Sequence, residues 1–454
     1  MILALIVLAV MQTGQLWLGN DSGHNFFYSL FDHSASSAGR SSQEKAVIDP
    51  ETIVVGYGSN AFHLTYGKIQ GSQIQQMVDA FVTEMVEEAD WSTLEGVGID
   101  ALLSQKCVVY EFSFDVSLPQ YLEAITEQAG NWPEMEYINY LVAVPSGGPM
   151  QKSQLYLVDG TAKQAVMTEN TQTELAQQLW NAIDTYRQAH LEDLRFVSSA
   201  QSGLNIFQNN VFVPQWSQST YPYQRLQQVK KAAEAEEMAE EAATAAAGFF
   251  ATYDTPVATI DENGMYVFTG EEAIVRYGTD GMLEYYGYGE SNADGQTLST
   301  AYYVCKQFME RDATLPEAIY LSDVQLKSDG LLFCFDYYWK EMPIELSESL
   351  CTEKNISHAV EVMVEQNKVT RYRRYVVQYE ADEEDWVEVD FVYAMNETIS
   401  AAQETITAMD DIYLGYVEDG SGDLGLCWFV VADGTKHQVD TKRSTEQETT
   451  TESR

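Results

Sequence analysis

The segment Leu331–Trp339, LLFCFDYYW, places a cysteine two residues before an acid, and a thiol beside a carboxylate is a possible nucleophile. Alternation along a strand would put Cys334 and Asp336 on one face and the odd-numbered aromatic residues on the other. A similar segment, LGLCWFVVA, carries Cys427 at the matching position but has Phe429 in place of the acid. A catalytic pair would not be expected to lose its acid while a small apolar cysteine persists. We therefore interpret LLFCFDYYW as an interior strand of a duplicated sheet.

The rest of the sequence contains no motif with catalytic or ligand-binding spacing. It lacks the glycine-rich phosphate loops, the G-x-S-x-G elbow and the H-E-x-x-H zinc motif. The five cysteines form no C-x-x-C pair, and the six histidines are scattered along the chain with no close pair. The sequence thus predicts no catalytic, cofactor-binding or metal site. The histidines are His24, His33, His63, His190, His358 and His437.

Composition indicates a folded protein with a strongly acidic surface. Hydrophobic residues make up 45% and charged residues 21%, while the formal net charge is −44. Such a surface repels nucleic acid phosphates, so we expect no nucleic acid partner. It can attract cationic partners, although such charge more often only solvates the surface. The acidic run YEADEEDW, 379–386, lacks the calcium-loop pattern, and we interpret it as an acidic hairpin between two strands.

The N-terminal segment 1–19, MILALIVLAVMQTGQLWLG, predicts a single transmembrane anchor. As a helix it would span about 28 Å, close to the thickness of a bilayer core. The alternative is a cleaved signal peptide, but no clear cleavage site follows and no basic residue precedes Arg40. We expect a short basic tail to precede Met1 in the gene, because anchors keep positive charge on the cytoplasmic side. The protein would then be a single-pass membrane protein with most of the chain extracytoplasmic.

Two segments after residue 253 resemble each other. Each contains a predicted hairpin (272–288 and 358–375), an amphipathic helix (TLSTAYYVCKQFMERD and NETISAAQETITAMDD) and then two strands that begin at an IYL triplet. The predicted fold class is α+β, with a transmembrane helix, a mixed first domain and two similar small domains of antiparallel sheet covered by a helix. The predicted divisions are an anchor 1–19, a juxtamembrane linker 20–45, a first α+β domain 46–215, a connecting helix 224–250, a second domain 253–345, a third domain 350–440 and a disordered tail 441–454.

Two passages resemble the YycH family. CVVYEFSFDVSLPQYLEAI is similar to the family's passage of a strand, a D-x-x-L-P motif and a helix. MDDIYLGYVEDGSGDLGLCWFVVADG is similar to the family's C-terminal passage. The order of anchor, larger domain and two similar units fits as well. The resemblance therefore covers most of the chain.

This resemblance implies an accessory regulator with no enzymatic activity and no cofactor. Its partners would be a membrane sensor histidine kinase of the WalK (YycG) type, in a two-component system for cell-wall homeostasis, and a YycI-like sister protein. Regulation would act by contact through the transmembrane helix and the external domains. The polar and small residues suited to helix packing in lipid are Gln12, Thr13, Gly14 and Gln15; alternatively, they are ordinary residues at the end of a short anchor.

Two other classes of function remain open from the sequence. The first is an exported binding or inhibitor module that acts on a cell-envelope component. The second is a wall-processing enzyme, which the sequence disfavours because no set of nucleophile, base or metal ligands is visible. A polar pocket with converging histidines and acids would favour the enzyme.

Overall fold

The computed structural model describes the chain from Glu44 to Lys442 with short gaps. The predicted anchor (1–19) lies outside the described residues, as do nearly all of the linker and the tail. Among the residues that are described, no helix has the length and apolar character needed to cross a membrane. The described ranges are 44–67, 73–126, 132–148, 151–171, 173–207, 209–215, 220–229, 235–250, 256–288, 296–402 and 405–442.

The first part of the fold is an antiparallel sheet of nine strands. Its strands are β1 (Thr52–Tyr57), β2 (Phe62–Tyr66), β3 (Ser92–Glu95), β4 (Lys106–Ser117), β5 (Tyr137–Val144), β6 (Ser153–Asp159), β7 (Gln164–Asn170), β8 (Phe196–Ser198) and β9 (Phe212–Pro214). Their spatial order is β3-β7-β6-β5-β4-β1-β2-β8-β9. The turn between β1 and β2 uses Gly58, Ser59 and Asn60 at positive φ, a conformation that glycine and asparagine adopt more readily than other residues.

Helices pack on this sheet through apolar stripes. In the first helix the buried residues include Ile74, Val78, Phe81 and Met85, which recur at helical spacing. The third helix begins where the Thr173 side chain accepts a hydrogen bond from a backbone amide of the first turn. The helices are α1 (Ile74–Glu87), α2 (Leu118–Thr126) and α3 (Glu174–Ala189), and a short 3-10 helix covers Ile99–Leu102.

The second part of the fold is a sheet of twelve strands. They are β11 (Thr259–Ile260), β12 (Tyr266–Thr269), β13 (Ala273–Tyr277), β14 (Met282–Gly287), β15 (Ile319–Leu326), β16 (Leu331–Trp339), β17 (Met342–Leu346), β18 (Val360–Glu365), β19 (Lys368–Tyr375), β21 (Met409–Glu418), β23 (Leu426–Ala432) and β24 (Thr435–Asp440). The order is β11-β12-β13-β14-β19-β18-β16-β17-β21-β23-β24, with β15 paired to β16.

This arrangement corrects the prediction of one small sheet per unit. The hairpin 272–288 pairs through β14 with β19, and β17 pairs in parallel with β21, so the two segments share a single sheet. The physical reason is that a small separate sheet would leave backbone N–H and C=O groups unpaired along its edge strands. Pairing with strands of the other segment satisfies these groups here. Both predicted hairpins are present, and Gln366 and Asn367 take positive φ at the second turn. The domain boundaries predicted from the sequence stay a prediction.

Two helices differ from their predicted extents. The helix in NETISAAQETITAMDD is α7 (Phe391–Ala401), which begins earlier because Asp390 caps it, and Met409 already belongs to β21. The predicted connecting helix 224–250 is wrong in its first part, where residues to Gln228 form a strand. The remaining helices are α4 (Ala235–Ala247), α5 (Leu298–Met309) and α6 (Glu348–Lys354).

A three-stranded sheet joins distant parts of the chain. It contains β10 (Thr220–Gln228) between β20 (Tyr379–Glu388) and β22 (Asp423–Leu424). The acidic run YEADEEDW is therefore a strand and not a hairpin, and the prediction was wrong. Pairing with β10, which buries Tyr223 and Leu226, outweighs the low strand propensity of its acidic residues.

Candidate functional site

The Cys334–Asp336 pair lies on a fully paired strand. As predicted, LLFCFDYYW is an interior strand, β16, which pairs with β15 and β18. Cys334 is completely buried, and this burial raises the pKa of its thiol. The acid is engaged elsewhere, because Asp336 Oδ2 lies 2.7 Å from His358 Nδ1 and its Oδ1 accepts a hydrogen bond from the Ala359 amide at 2.9 Å. Cys334 is thus a buried, unreactive residue that packs in the sheet, and its thiol is not a nucleophile.

Ser322, His358 and Asp336 form a cluster that contains the residue types of a hydrolase triad. However, Ser322 Oγ lies 3.1 Å from the same imidazole nitrogen, Nδ1, that contacts the Asp336 carboxylate. In a catalytic triad the serine and the acid contact opposite nitrogens, so that the imidazole can pass a proton. Burial disfavours the imidazolium, but the neighbouring carboxylate outweighs burial and raises the pKa of His358 well above its ordinary value. His358 is therefore a charged partner in an ion pair and not a general base.

A cavity of about 220 Å³ lies between the nine-stranded sheet and the β17–β21 part of the twelve-stranded sheet. Six half-buried carboxylates line it, and we refer to it as the acidic cavity. Tyrosine rings from both sheets complete its wall, among them Tyr66, Tyr320 and Tyr413. The six carboxylates belong to Glu51, Glu111, Glu341, Glu345, Asp410 and Asp411.

Three carboxylates of the acidic cavity, those of Glu51, Glu111 and Asp411, hold protons more tightly than usual. Burial raises the pKa of Glu111 to about 7, although Thr52 Oγ1 donates a 2.6 Å hydrogen bond to its carboxylate. Burial also raises the pKa of Asp411 to about 6, and burial together with Asp411 raises that of Glu51. Lys436 contacts this group, because its Nζ lies 2.7 Å from the Glu345 carboxylate. Chemically, the cavity can take up protons near neutral pH or accept a cationic group.

A second polar cluster brings together two histidines that are distant in sequence. His63 and His190 have ring centroids 4.8 Å apart, and the carboxylates of Asp193 and Glu341 complete the group. No spacing in the sequence predicts this cluster, because its four residues come from β2, from the residue after α3, from the loop that follows and from the β16–β17 turn. Imidazole and carboxylate are ligand types that hold Zn²⁺ and related ions. The candidate transmembrane contacts, Gln12 to Gln15, lie outside the described residues.

The fold has a counterpart among solved structures. YycH from Bacillus subtilis is similar with a TM-score of 0.55 and 11% sequence identity, over 89% of this chain and 99% of that chain. An uncharacterized protein from Eubacterium rectale gives a TM-score of 0.33 and 11% identity, over 50% of this chain and 86% of that chain. No protein-family model and no curated protein matches the chain. The chain has a YycH-like fold, as the resemblance in its sequence motifs predicted.

Proposed function

We propose that this protein is an accessory regulator of a membrane sensor histidine kinase of the WalK (YycG) type, in a two-component system for cell-wall homeostasis. The observation that carries the proposal is the YycH-like fold, which extends over 89% of this chain and 99% of YycH. Within the described residues, the Cys334–Asp336 and Ser322–His358 arrangements cannot act as a nucleophile and base, which supports a function that needs no bond chemistry.

The regulator would act by contact. Segment 1–19 would anchor the protein in the membrane, with the remainder extracytoplasmic, and would pack against the kinase helices through Gln12, Thr13, Gly14 and Gln15. Contacts that differ between two kinase states shift the equilibrium between those states. The size of this shift measures a coupling free energy between the regulator and the kinase. A YycI-like sister protein would share the complex. The hairpin, helix and strand pair that occur twice after residue 253 would descend from one duplicated unit.

Co-purification with the cognate kinase from detergent-solubilised membranes tests this proposal. The full-length protein should retain the kinase, and a deletion of residues 1–19 should retain much less. A matched control replaces Gln12, Thr13, Gly14 and Gln15 by leucine, which keeps an apolar span but removes the polar and small face. If the full-length protein fails to retain the kinase, the proposal is wrong. If the leucine variant binds as well as the wild type, the contact lies elsewhere on the protein.

A second candidate function, a binding module for a cell-envelope component, is favoured by the acidic cavity. Its carboxylates and its volume of about 220 Å³ suit a single cationic group better than a large ligand. Sedimentation of the purified protein with isolated cell-wall material tests this candidate. Binding that the double variant Glu111→Gln, Asp411→Asn abolishes would support it, and the absence of wild-type binding would exclude it.

A further inference from the structure

We propose that His63, His190, Asp193 and Glu341 form a binding site for a divalent transition-metal ion of the zinc class. Each of the four offers one ligand atom, and these atoms all lie within 4.8 Å of one another. Two imidazoles and two carboxylates fill the four positions that zinc prefers in structural sites. The inference does not depend on the regulatory function proposed above.

The distances between the ligand atoms bracket those of a tetrahedral centre. Metal–ligand bonds of about 2.0–2.1 Å place tetrahedral ligand atoms about 3.3 Å apart. Glu341 Oε1 lies 3.1 Å from His63 Nε2 and 3.8 Å from His190 Nδ1, while His190 Nδ1 lies 2.5 Å from Asp193 Oδ2. Side-chain rotation of the two half-buried carboxylates, Asp193 and Glu341, would equalise these separations. His63, held in β2, would move least.

The buried, unsatisfied ring nitrogen of His63 indicates a ligand-binding site rather than an ordinary polar cluster. Its residue is only 2% exposed, and no hydrogen bond in the described structure satisfies its Nε2 atom. The Glu341 oxygen is close to this nitrogen but is not aligned with it as a hydrogen-bond acceptor. A buried imidazole nitrogen without an aligned partner is costly, and coordination of a metal ion would satisfy it.

The surrounding structure holds the imidazoles in place and leaves a route for an ion. The Tyr186 ring lies 4.1 Å from the His190 ring and 5.2 Å from the His63 ring, measured between centroids, which limits their rotation. The side chains of His190, Asp193 and Glu341 are 28%, 34% and 24% exposed, so the cluster is open to solvent on one side. The two carboxylates bring negative charge to the cluster, which a divalent ion would neutralise.

The position of the cluster gives the ion a structural role. His63, His190 and Asp193 belong to the first part of the fold, whereas Glu341 lies in the turn between β16 and β17 of the twelve-stranded sheet. A bound ion would therefore link the two sheets beside the acidic cavity, whose wall Glu341 also shares. Four protein ligands leave no open position for a substrate, which is typical of a structural site.

The described structure contains one competing group of ligand types, Asp323, Cys334 and His358. Its imidazole is already paired with Asp336 at 2.7 Å, and burial keeps the Cys334 thiol protonated by raising its pKa. A metal ion there would have to break a buried ion pair. The corresponding His190–Asp193 contact is more exposed to solvent, at 28% and 34% against 21% and 9% for His358 and Asp336, so it costs less to rearrange, and we assign the site to the cluster around His63.

The test uses the full-length protein, purified in detergent and freed of metal with a chelator. Zn²⁺ binding is measured by titration calorimetry in excess Mg²⁺, which occupies the many exposed carboxylates, and Co²⁺ is used as a spectroscopic probe. We expect one Zn²⁺ per chain and the visible absorption of tetrahedral Co²⁺. The variants His190→Gln and Glu341→Gln should each weaken Zn²⁺ binding by at least about tenfold.

His437→Gln is the matched control, since His437 lies in β24, outside the cluster, and its replacement should leave Zn²⁺ affinity unchanged. His63→Gln removes the buried ligand, and circular dichroism of each metal-free variant shows whether it still folds. The proposal is overturned if the wild type binds no stoichiometric Zn²⁺. It is also overturned if folded His190→Gln and Glu341→Gln variants bind Zn²⁺ as tightly as the wild type.

Discussion

The guanidinium of Arg374 lies 2.7 Å from the carboxylate of Asp312, and neither side chain is exposed to solvent. The same guanidinium donates hydrogen bonds to Tyr337 Oη at 3.0 Å and to the Thr314 carbonyl at 2.7 Å. Tyr372 Oη donates to the same Asp312 oxygen at 2.8 Å. Arg374 belongs to the second segment of the predicted repeat, whereas Asp312, Thr314 and Tyr337 belong to the first. The two segments therefore share one buried polar network as well as one sheet.

Removal of the Arg374 charge should strongly destabilise the protein. Arg374→Met would leave Asp312 as a buried, uncompensated carboxylate, and we expect a loss of about 3–5 kcal/mol in the free energy of unfolding. Urea unfolding followed by circular dichroism measures this loss. Arg371→Met, a half-exposed arginine on the same strand, is the control and should change stability by less than about 1 kcal/mol. Equal losses in the two variants would show that the ion pair is not responsible.

The acidic cavity should make stability depend on pH between about 4 and 7. The folded-state pKa values of Glu111 and Asp411, about 7 and about 6, exceed their ordinary values, so the folded protein binds protons more tightly than the unfolded chain. Their contribution is most favourable at low pH and is lost as the pH rises towards 7. Glu111→Gln, which cannot ionise, should therefore gain stability relative to wild type between about pH 5 and about pH 8.

The exposed residue Glu262 provides the control for that comparison. The stability of Glu262→Gln relative to wild type should not change over the same pH range, because its carboxylate is solvated in both states. Thermal midpoints measured at several pH values give both differences. A Glu111→Gln variant that behaves like Glu262→Gln would show that the cavity carboxylates titrate normally.

The cysteines should differ in reactivity according to their burial. Cys351 is half-buried, whereas Cys107, Cys305, Cys334 and Cys427 are buried. We expect a thiol reagent to label Cys351 of the native protein faster than Cys334, by at least about tenfold, because complete burial hinders access of the reagent to Cys334. Mass spectrometry of labelled peptides measures both rates. Faster labelling of Cys334 would restore the interpretation of LLFCFDYYW as a reactive site.

Sequence patterns were sufficient where one local signal decides the structure. The alternation in LLFCFDYYW predicts the observed strand, and the hairpins predicted at 272–288 and 358–375 are both observed. Sequence patterns failed where contacts with distant segments of the chain determine the structure of an element. The strand at 379–388 is acidic and forms because β10 pairs with it, and α7 is shifted towards its Asp390 cap.

The polar clusters could not be predicted for the same reason. Glu341 lies within 4 Å of His63 and His190 only because the β16–β17 turn meets the first sheet. No spacing between these residues in the sequence corresponds to a metal motif, since each comes from a different element. The acidic cavity likewise draws Glu111 from β4 and Asp411 from β21, which are far apart along the chain.

The most direct test of the regulatory function is the autophosphorylation rate of the cognate kinase in proteoliposomes. The kinase is reconstituted alone, with the full-length protein or with the variant that lacks residues 1–19, and incorporation of each protein is measured. A regulator that binds two kinase states unequally should change the rate by about fivefold or more, in either direction, and the deletion should reduce this effect. An unchanged rate with both full-length proteins incorporated would contradict the proposed function.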